Sequence, residues 1–210
     1  MSFYCILPVP ELFRSQDGGY TWEPIGDAPF NGVAVLSLAV LPDDPKTVYA
    51  ATAMGLYLSR DGGDNWQRLK ALEEAATRLP PGSNEPPPSG GFIVFDVVLD
   101  PFDSQIVLAA TQNYALWRSK DGGQTWSQAS AGMDPNEPLF DLEPDPAHQG
   151  VFYASSSWSG VFVTTDGGHT WMRLSDGLAF NNMTDLALSA DGSILYAGTS
   201  GSGVFRLGAP

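Results

Sequence analysis

Ser119-Lys120-Asp121-Gly122-Gly123-Gln124-Thr125-Trp126 recurs three more times in this chain, as Ser15 to Trp22, Ser59 to Trp66 and Thr164 to Trp171. Every copy reads Ser or Thr, any residue, Asp, Gly, Gly, any residue, Thr or Asn, Trp. An Asp-Gly-Gly between apolar, aromatic runs is a hairpin signal, because glycine takes the positive φ of a tight turn without strain. Each octet therefore predicts one β-turn. Asp17, Asp61, Asp121 and Asp166 are placed to accept inward-pointing backbone N–H groups, and the Ser/Thr hydroxyls to tie the flanking strands. Trp22, Trp66, Trp126 and Trp171 open the return strand and are large enough to anchor a packing layer.

The box aspartates recur at 44 or 45 residues, except for a gap of 60 between Asp61 and Asp121. A period of about 45 residues is that of four-stranded propeller blades. Outward from the boxes the units superimpose. Inner strands are read at Val35 to Val40, Val94 to Leu99, Leu139 to Glu143 and Met183 to Leu188. Second strands follow at Thr47 to Thr52, Ile106 to Thr111, Val151 to Ser156 and Ile194 to Thr199. A third strand leads into each box. Both inner and second strands are apolar almost throughout, as suits a sheet covered on both faces. Counting third strands predicts an all-β chain: a β-propeller of about five four-stranded blades, the first lacking its inner strand and the last its outer one. Open strand edges of that kind are places where chains can pair with one another. Residues 1–210 read as a single domain.

The octets resemble the Asp-box, or BNR repeat, of sialidases, sortilin-type receptors, xyloglucan-degrading glycosidases and a photosystem assembly factor. In that family the box is a structural turn, on the propeller face away from the catalytic groups. The resemblance thus speaks to architecture and leaves activity to be found on the opposite face.

That opposite face receives the loops joining second to third strands and one blade to the next. One blade-to-blade loop is long, an insertion over residues 70–91 whose first part, Lys70 to Leu79, has helical propensity and whose remainder, Pro80 to Gly91, is too rich in Pro and Gly to be helical. Long loops on a regular scaffold tend to carry function. On the same face Asn113, Tyr114 and Trp158 are candidate ligand-binding residues, with the two rings offering stacking surfaces for a sugar; inter-blade packing is the competing reading for both.

Asp96, Asp141 and Asp185 occupy one equivalent position on three inner strands, and Ser37 takes that place in another. Two carboxyl groups roughly 5 to 9.5 Å apart meet the geometry of a glycosidase acid and its nucleophile or base. The resemblance to xyloglucan-degrading members supports that placement. The other reading is that these aspartates hydrogen-bond the backbone of the neighbouring blade. A sialidase is disfavoured: that activity implies three arginines around the substrate carboxylate. Here Arg14, Arg118 and Arg206 share a third-strand position beside the boxes, Arg60 is inside one, and only Arg68, Arg78 and Arg173 remain.

The net charge is -14, from 24 acidic and 10 basic residues, which makes nucleic acid and anionic membranes poor partners. A protein or a neutral glycan fits better, as does self-association through open blade edges. Cys5 is the single cysteine, so no internal disulfide forms. No Cys/His metal spacing, phosphate-binding glycine loop or nucleophile elbow is present, so no metal and no cofactor is expected. Turn carboxylates at Asp43, Asp44, Asp100 and Asp103 are ordinary turn chemistry or, less simply, calcium ligands. Met1 to Pro10 lacks the basic start and apolar core of a secretory signal, so the chain as written reads as cytoplasmic, or as secreted if a segment precedes it. The leading expectation is a non-catalytic scaffold binding protein or glycan opposite the boxes; the alternative is a xyloglucanase-like glycoside hydrolase using Asp96, Asp141 or Asp185.

Overall fold

A computed structural model describes residues 3–6, 12–25, 30, 32–77, 92–112, 115–134, 136–174 and 181–208. Pro80 to Gly91, Asn113 and Tyr114 lie outside these. The chain divides into two compact units, Met1–Val97 and Val98–Pro210.

In the first unit, β1 (Phe3–Ile6), β2 (Leu12–Ser15) and β3 (Glu23–Pro24) form a three-stranded antiparallel sheet. A second sheet runs β4 (Val35–Leu41), β5 (Asp44–Thr52), β6 (Gly55–Ser59) and β7 (Gln67–Arg68) in sequence order. Helix α1 (Lys70–Ala76) follows and buries Leu72. Leu12, Ile25 and Phe30 pack with Ala50 and Tyr57 in one cluster, so the first sheet is sealed against the second. Phe30 stands edge-on to both Tyr57 and Trp66, with centroids 5.1 and 5.0 Å away.

A third sheet begins at β8 (Val94–Leu99), on the boundary between the units, and continues as β9 (Val107–Thr111), β10 (Ala115–Ser119) and β11 (Ser127–Gln128). The fourth has β12 (Leu139–Pro144), β13 (Phe152–Ser156), β14 (Gly160–Thr164) and β15 (Met172–Arg173). β16 (Met183–Leu188), β17 (Ile194–Thr199) and β18 (Gly203–Gly208) make the fifth. Alternate residues of one strand serve two cores, as the pleat requires. Phe152, Ala154 and Phe162 pack back on Leu108 and Leu116, whereas Tyr153, Val161 and Val163 pack forward on Leu186, Leu195 and Ala197. Every residue of β13 and β14 is buried for that reason.

The fold is all-β with the strand order of propeller blades, and inner and second strands fall where the hydrophobic runs place them. The fourth strands are short, two residues each. The outer edge of a blade has few neighbours to reward a longer one.

Candidate functional site

The box turns show why the octet repeats. In the third sheet the Ser119 hydroxyl donates to Asp121 Oδ1 at 2.8 Å and accepts the Gly123 N–H at 2.8 Å. Asp121 then accepts the Thr125 N–H and hydroxyl, at 2.8 and 2.5 Å. The same set forms around Asp17, Asp61 and Asp166, with Asn65 replacing threonine at Asp61. The Ser/Thr hydroxyls close the turn itself; they do not tie flanking strands, because the carboxylate and the glycine N–H already occupy them.

These bonds favour the ionised form and hold the box carboxyls at about 2 against an ordinary 3.8. At Asp17 the Thr21 hydroxyl is the main cause and at Asp61 the Asn65 amide. At Asp121 and Asp166 burial pushes upward and is outweighed by the threonine and serine or threonine donors together.

The second and fourth boxes are also joints between sheets. Arg14, on β2, donates through Nη1 to the Gly62 carbonyl at 2.7 Å, and Arg118, on β10, donates through Nε to the Gly167 carbonyl at 2.7 Å. Arg14 reaches Asp64 as well, at 3.1 Å. The second box glycine is pressed on the preceding sheet. At Gly168, with φ +86°, a Cβ would lie 3.0 Å from Leu108, and at Gly63, with φ +101°, 2.7 Å from Ile25. Trp171 completes the joint by donating Nε1–H to Ala129 O at 2.8 Å, whereas Trp22 and Trp126 bond the second glycine of their own turn.

Two inner-strand carboxylates join sheets in the same way. Asp141 Oδ2 accepts the Leu186 N–H at 2.7 Å, and two residues on, Glu143 Oε1 accepts the Leu188 N–H at 3.1 Å. Asp185 precedes Leu186 and is exposed. Asp96 is buried on β8, and its Oδ1 accepts the Val97 N–H at 2.8 Å. Thus Asp141 and Asp185 are brought onto neighbouring strands, one turned to backbone and one to solvent.

In the second, fourth and fifth sheets the second-to-third turn is described. There the last hydroxyl of the second strand caps the turn: Thr52 donates to Gly55 O at 2.7 Å and Thr199 to Gly203 O at 2.8 Å. The fourth sheet departs from the pattern. Ser156 donates instead to the buried carboxyl of Glu137, while accepting the Trp158 N–H at 3.0 Å. Arg173 Nε holds Ser159 O at 2.7 Å. The Trp158 indole stands 61% exposed above this network, so it is not inter-blade packing. Glu137 was missed from sequence, although the repeat flags it: the equivalent positions are Val33, Phe92 and Asn181, none of them charged.

Asp100 and Asp145 are turn residues. Asp100 accepts the Phe102 and Asp103 N–H groups, and Asp145 those of Ala147 and His148 together with the His148 ring. Among the described residues no group of three or more His, Cys, Asp or Glu is placed to hold a metal, and no helix is long and apolar enough to cross a membrane.

The family model for the BNR/Asp-box repeat matches residues 13–24 and 117–128, two of the four octets. The chain carries BNR/Asp-box repeats. A xyloglucanase from Paenibacillus sp is 30% identical over 149 residues, 63% of this chain and 13% of that enzyme. Xyloglucanase Xgh74A from Acetivibrio thermocellus is 28% identical over 154 residues, 65% of this chain and 17% of the enzyme. This BNR-repeat chain therefore spans less than a fifth of the length of either relative. Among solved structures, the Niastella koreensis GH74 enzyme superposes with a TM-score of 0.70 at 22% identity, covering 99% of this chain and 34% of that one. An ancestral GH74 enzyme gives 0.69 at 18%, covering 92% and 25%. These likenesses show the propeller fold.

Proposed function

We propose that this chain is a non-catalytic binding module that seats a neutral glycan or a protein on the sheet ends opposite the boxes, centred on Trp158. The observation that carries this reading is the engagement of two of the three candidate acids: Asp141, like Glu143 beside it, accepts the backbone of the next inner strand, and Asp96 is buried, so that only Asp185 is exposed. An acid bonded in that way is poorly placed to exchange protons with a glycosidic oxygen. An exposed indole suits stacking on a sugar ring or an apolar side chain, and the Ser156 and Glu137 network beneath it fixes the loop that presents it. The net charge of -14 supports an uncharged rather than an anionic ligand.

A second reading, a glycoside hydrolase acting on a neutral polysaccharide, is favoured by the identity to xyloglucanases. Those names make xyloglucan oligosaccharide the first ligand to try. Calorimetric titration of that oligosaccharide into wild type and Trp158→Ala tests the module: binding by the first, weakened at least tenfold in the second, is expected. Equal affinity in both would remove Trp158 from the site.

A further inference from the structure

Three of the turns that carry an inner strand into its second strand open on Asp-Pro. They are Asp44-Pro45-Lys46-Thr47 at the start of β5, Asp100-Pro101-Phe102-Asp103 between β8 and β9, and Asp145-Pro146-Ala147-His148 between β12 and β13. Each aspartate uses Oδ1 in the same way, accepting the N–H two residues on: Lys46 at 3.3 Å, Phe102 at 2.8 Å and Ala147 at 2.8 Å. In the last two turns Oδ1 also accepts the N–H three residues on, Asp103 at 3.2 Å and His148 at 3.0 Å. The backbone of that residue is thereby held at one place against the carboxyl group.

Oδ2 shows what the side chain at that place does. Asp44 Oδ2 accepts the Thr47 hydroxyl at 2.7 Å, and Asp145 Oδ2 accepts the His148 Nδ1–H at 3.0 Å. In the remaining turn the residue is Asp103, and a carboxylate has no hydrogen to donate. Asp100 Oδ2 is accordingly buried without a partner, on a residue only 2% exposed. An orphaned carboxylate oxygen is costly, and a second carboxylate turned toward it adds repulsion. Asp103 engages the Gln105 N–H through Oδ1, at 3.0 Å, and is half-buried, so the pair is reached from solvent on its side.

We propose that Asp100 and Asp103 bind a calcium ion, with Asp100 Oδ2 as the buried ligand and the Asp103 carboxylate closing the site toward solvent. The ion is the partner that the Thr47 hydroxyl and the His148 ring supply in the other two turns. Oxygen donors alone suit a hard cation rather than zinc. Magnesium demands a near-ideal octahedron and dehydrates reluctantly, whereas calcium accepts an irregular turn and completes its shell with water. Two carboxylates rather than three place the affinity in the weak range, a dissociation constant of about 10⁻⁴ to 10⁻³ M.

Calorimetric titration of calcium chloride into the full chain tests this, in about 0.15 M sodium chloride so that screening of the acidic surface stays constant. Wild type is expected to bind calcium and to melt at a higher temperature with it than without. Asp103→Asn keeps an acceptor for the Gln105 N–H and is expected to bind calcium about tenfold more weakly or worse. Asp103→His copies the turn that holds His148, so its ring donates to Asp100 Oδ2; this variant is expected to melt above calcium-free wild type and to give no calcium response. Asp43→Asn, at an exposed acid outside the site, keeps the wild-type response. The absence of calcium binding by wild type would overturn the proposal, as would binding undiminished in Asp103→Asn and Asp103→His, each shown to be folded by circular dichroism.

Discussion

At the scale of single residues the box aspartate does the most, since one carboxylate accepts both a backbone N–H and a side chain across the turn while a hydroxyl from behind fixes its orientation. A carboxyl more acidic folded than unfolded adds stability above its unfolded pKa and loses it as pH falls through the folded one. For Asp17, Asp61, Asp121, Asp166 and also Asp191 that window runs from 3.8 to about 2. Melting temperature is expected to hold nearly level from neutral pH to pH 5 and to drop steeply between pH 4 and pH 2. A level melt through that window would contradict the assignment. The second glycine is equally constrained, by a positive φ and by Leu108 beneath it. Gly168→Ala is expected to cost about 1 kcal/mol or more in a urea unfolding series. The aspartates and glycines were legible in sequence because four copies aligned them. What each hydroxyl does was not, since a serine beside a turn has several acceptors within reach and only the folded geometry selects one.

Elements are joined by side chains reaching into a neighbour's backbone. Arg118 to Gly167, Trp171 to Ala129, Asp141 to Leu186 and Glu143 to Leu188 all cross between sheets. Arg118→Ala is expected to lose about 1 kcal/mol. Asp141→Ala is expected to lose about 1–3 kcal/mol, because it leaves the Leu186 N–H without its acceptor. Denaturant midpoints measure both, and an unchanged midpoint for Asp141→Ala would return that residue to the list of free carboxylates. Strand positions were readable from apolar runs such as Val94 to Leu99, which β8 matches at both ends. The partners of Arg14 and Arg118 were not, because each arginine bonds a residue about 48 or 49 positions on, in the next unit of the repeat. Knowing only that they share a position gives the repeat, not the joint.

For the whole molecule the repeat is an economical way to build two kinds of sheet end. One is made of box turns, rigid and alike; the other varies, with Met54 exposed in the second sheet and Trp158 in the fourth. Variation at one end on a fixed frame is how a repeat scaffold acquires a ligand. Trp158 was found from sequence as a loop aromatic on the end opposite the boxes. Glu137, buried below it, escaped because one acidic residue near two prolines resembles ordinary loop composition. The central claim is that Asp141 and Glu143 serve as joints to the next inner strand, which the proposed binding role requires and a catalytic role for Asp141 does not. Sugar release from xyloglucan, compared between wild type and Asp141→Asn, tests it directly: no release above buffer from either is the predicted result, and release by wild type that Asp141→Asn abolishes would contradict it.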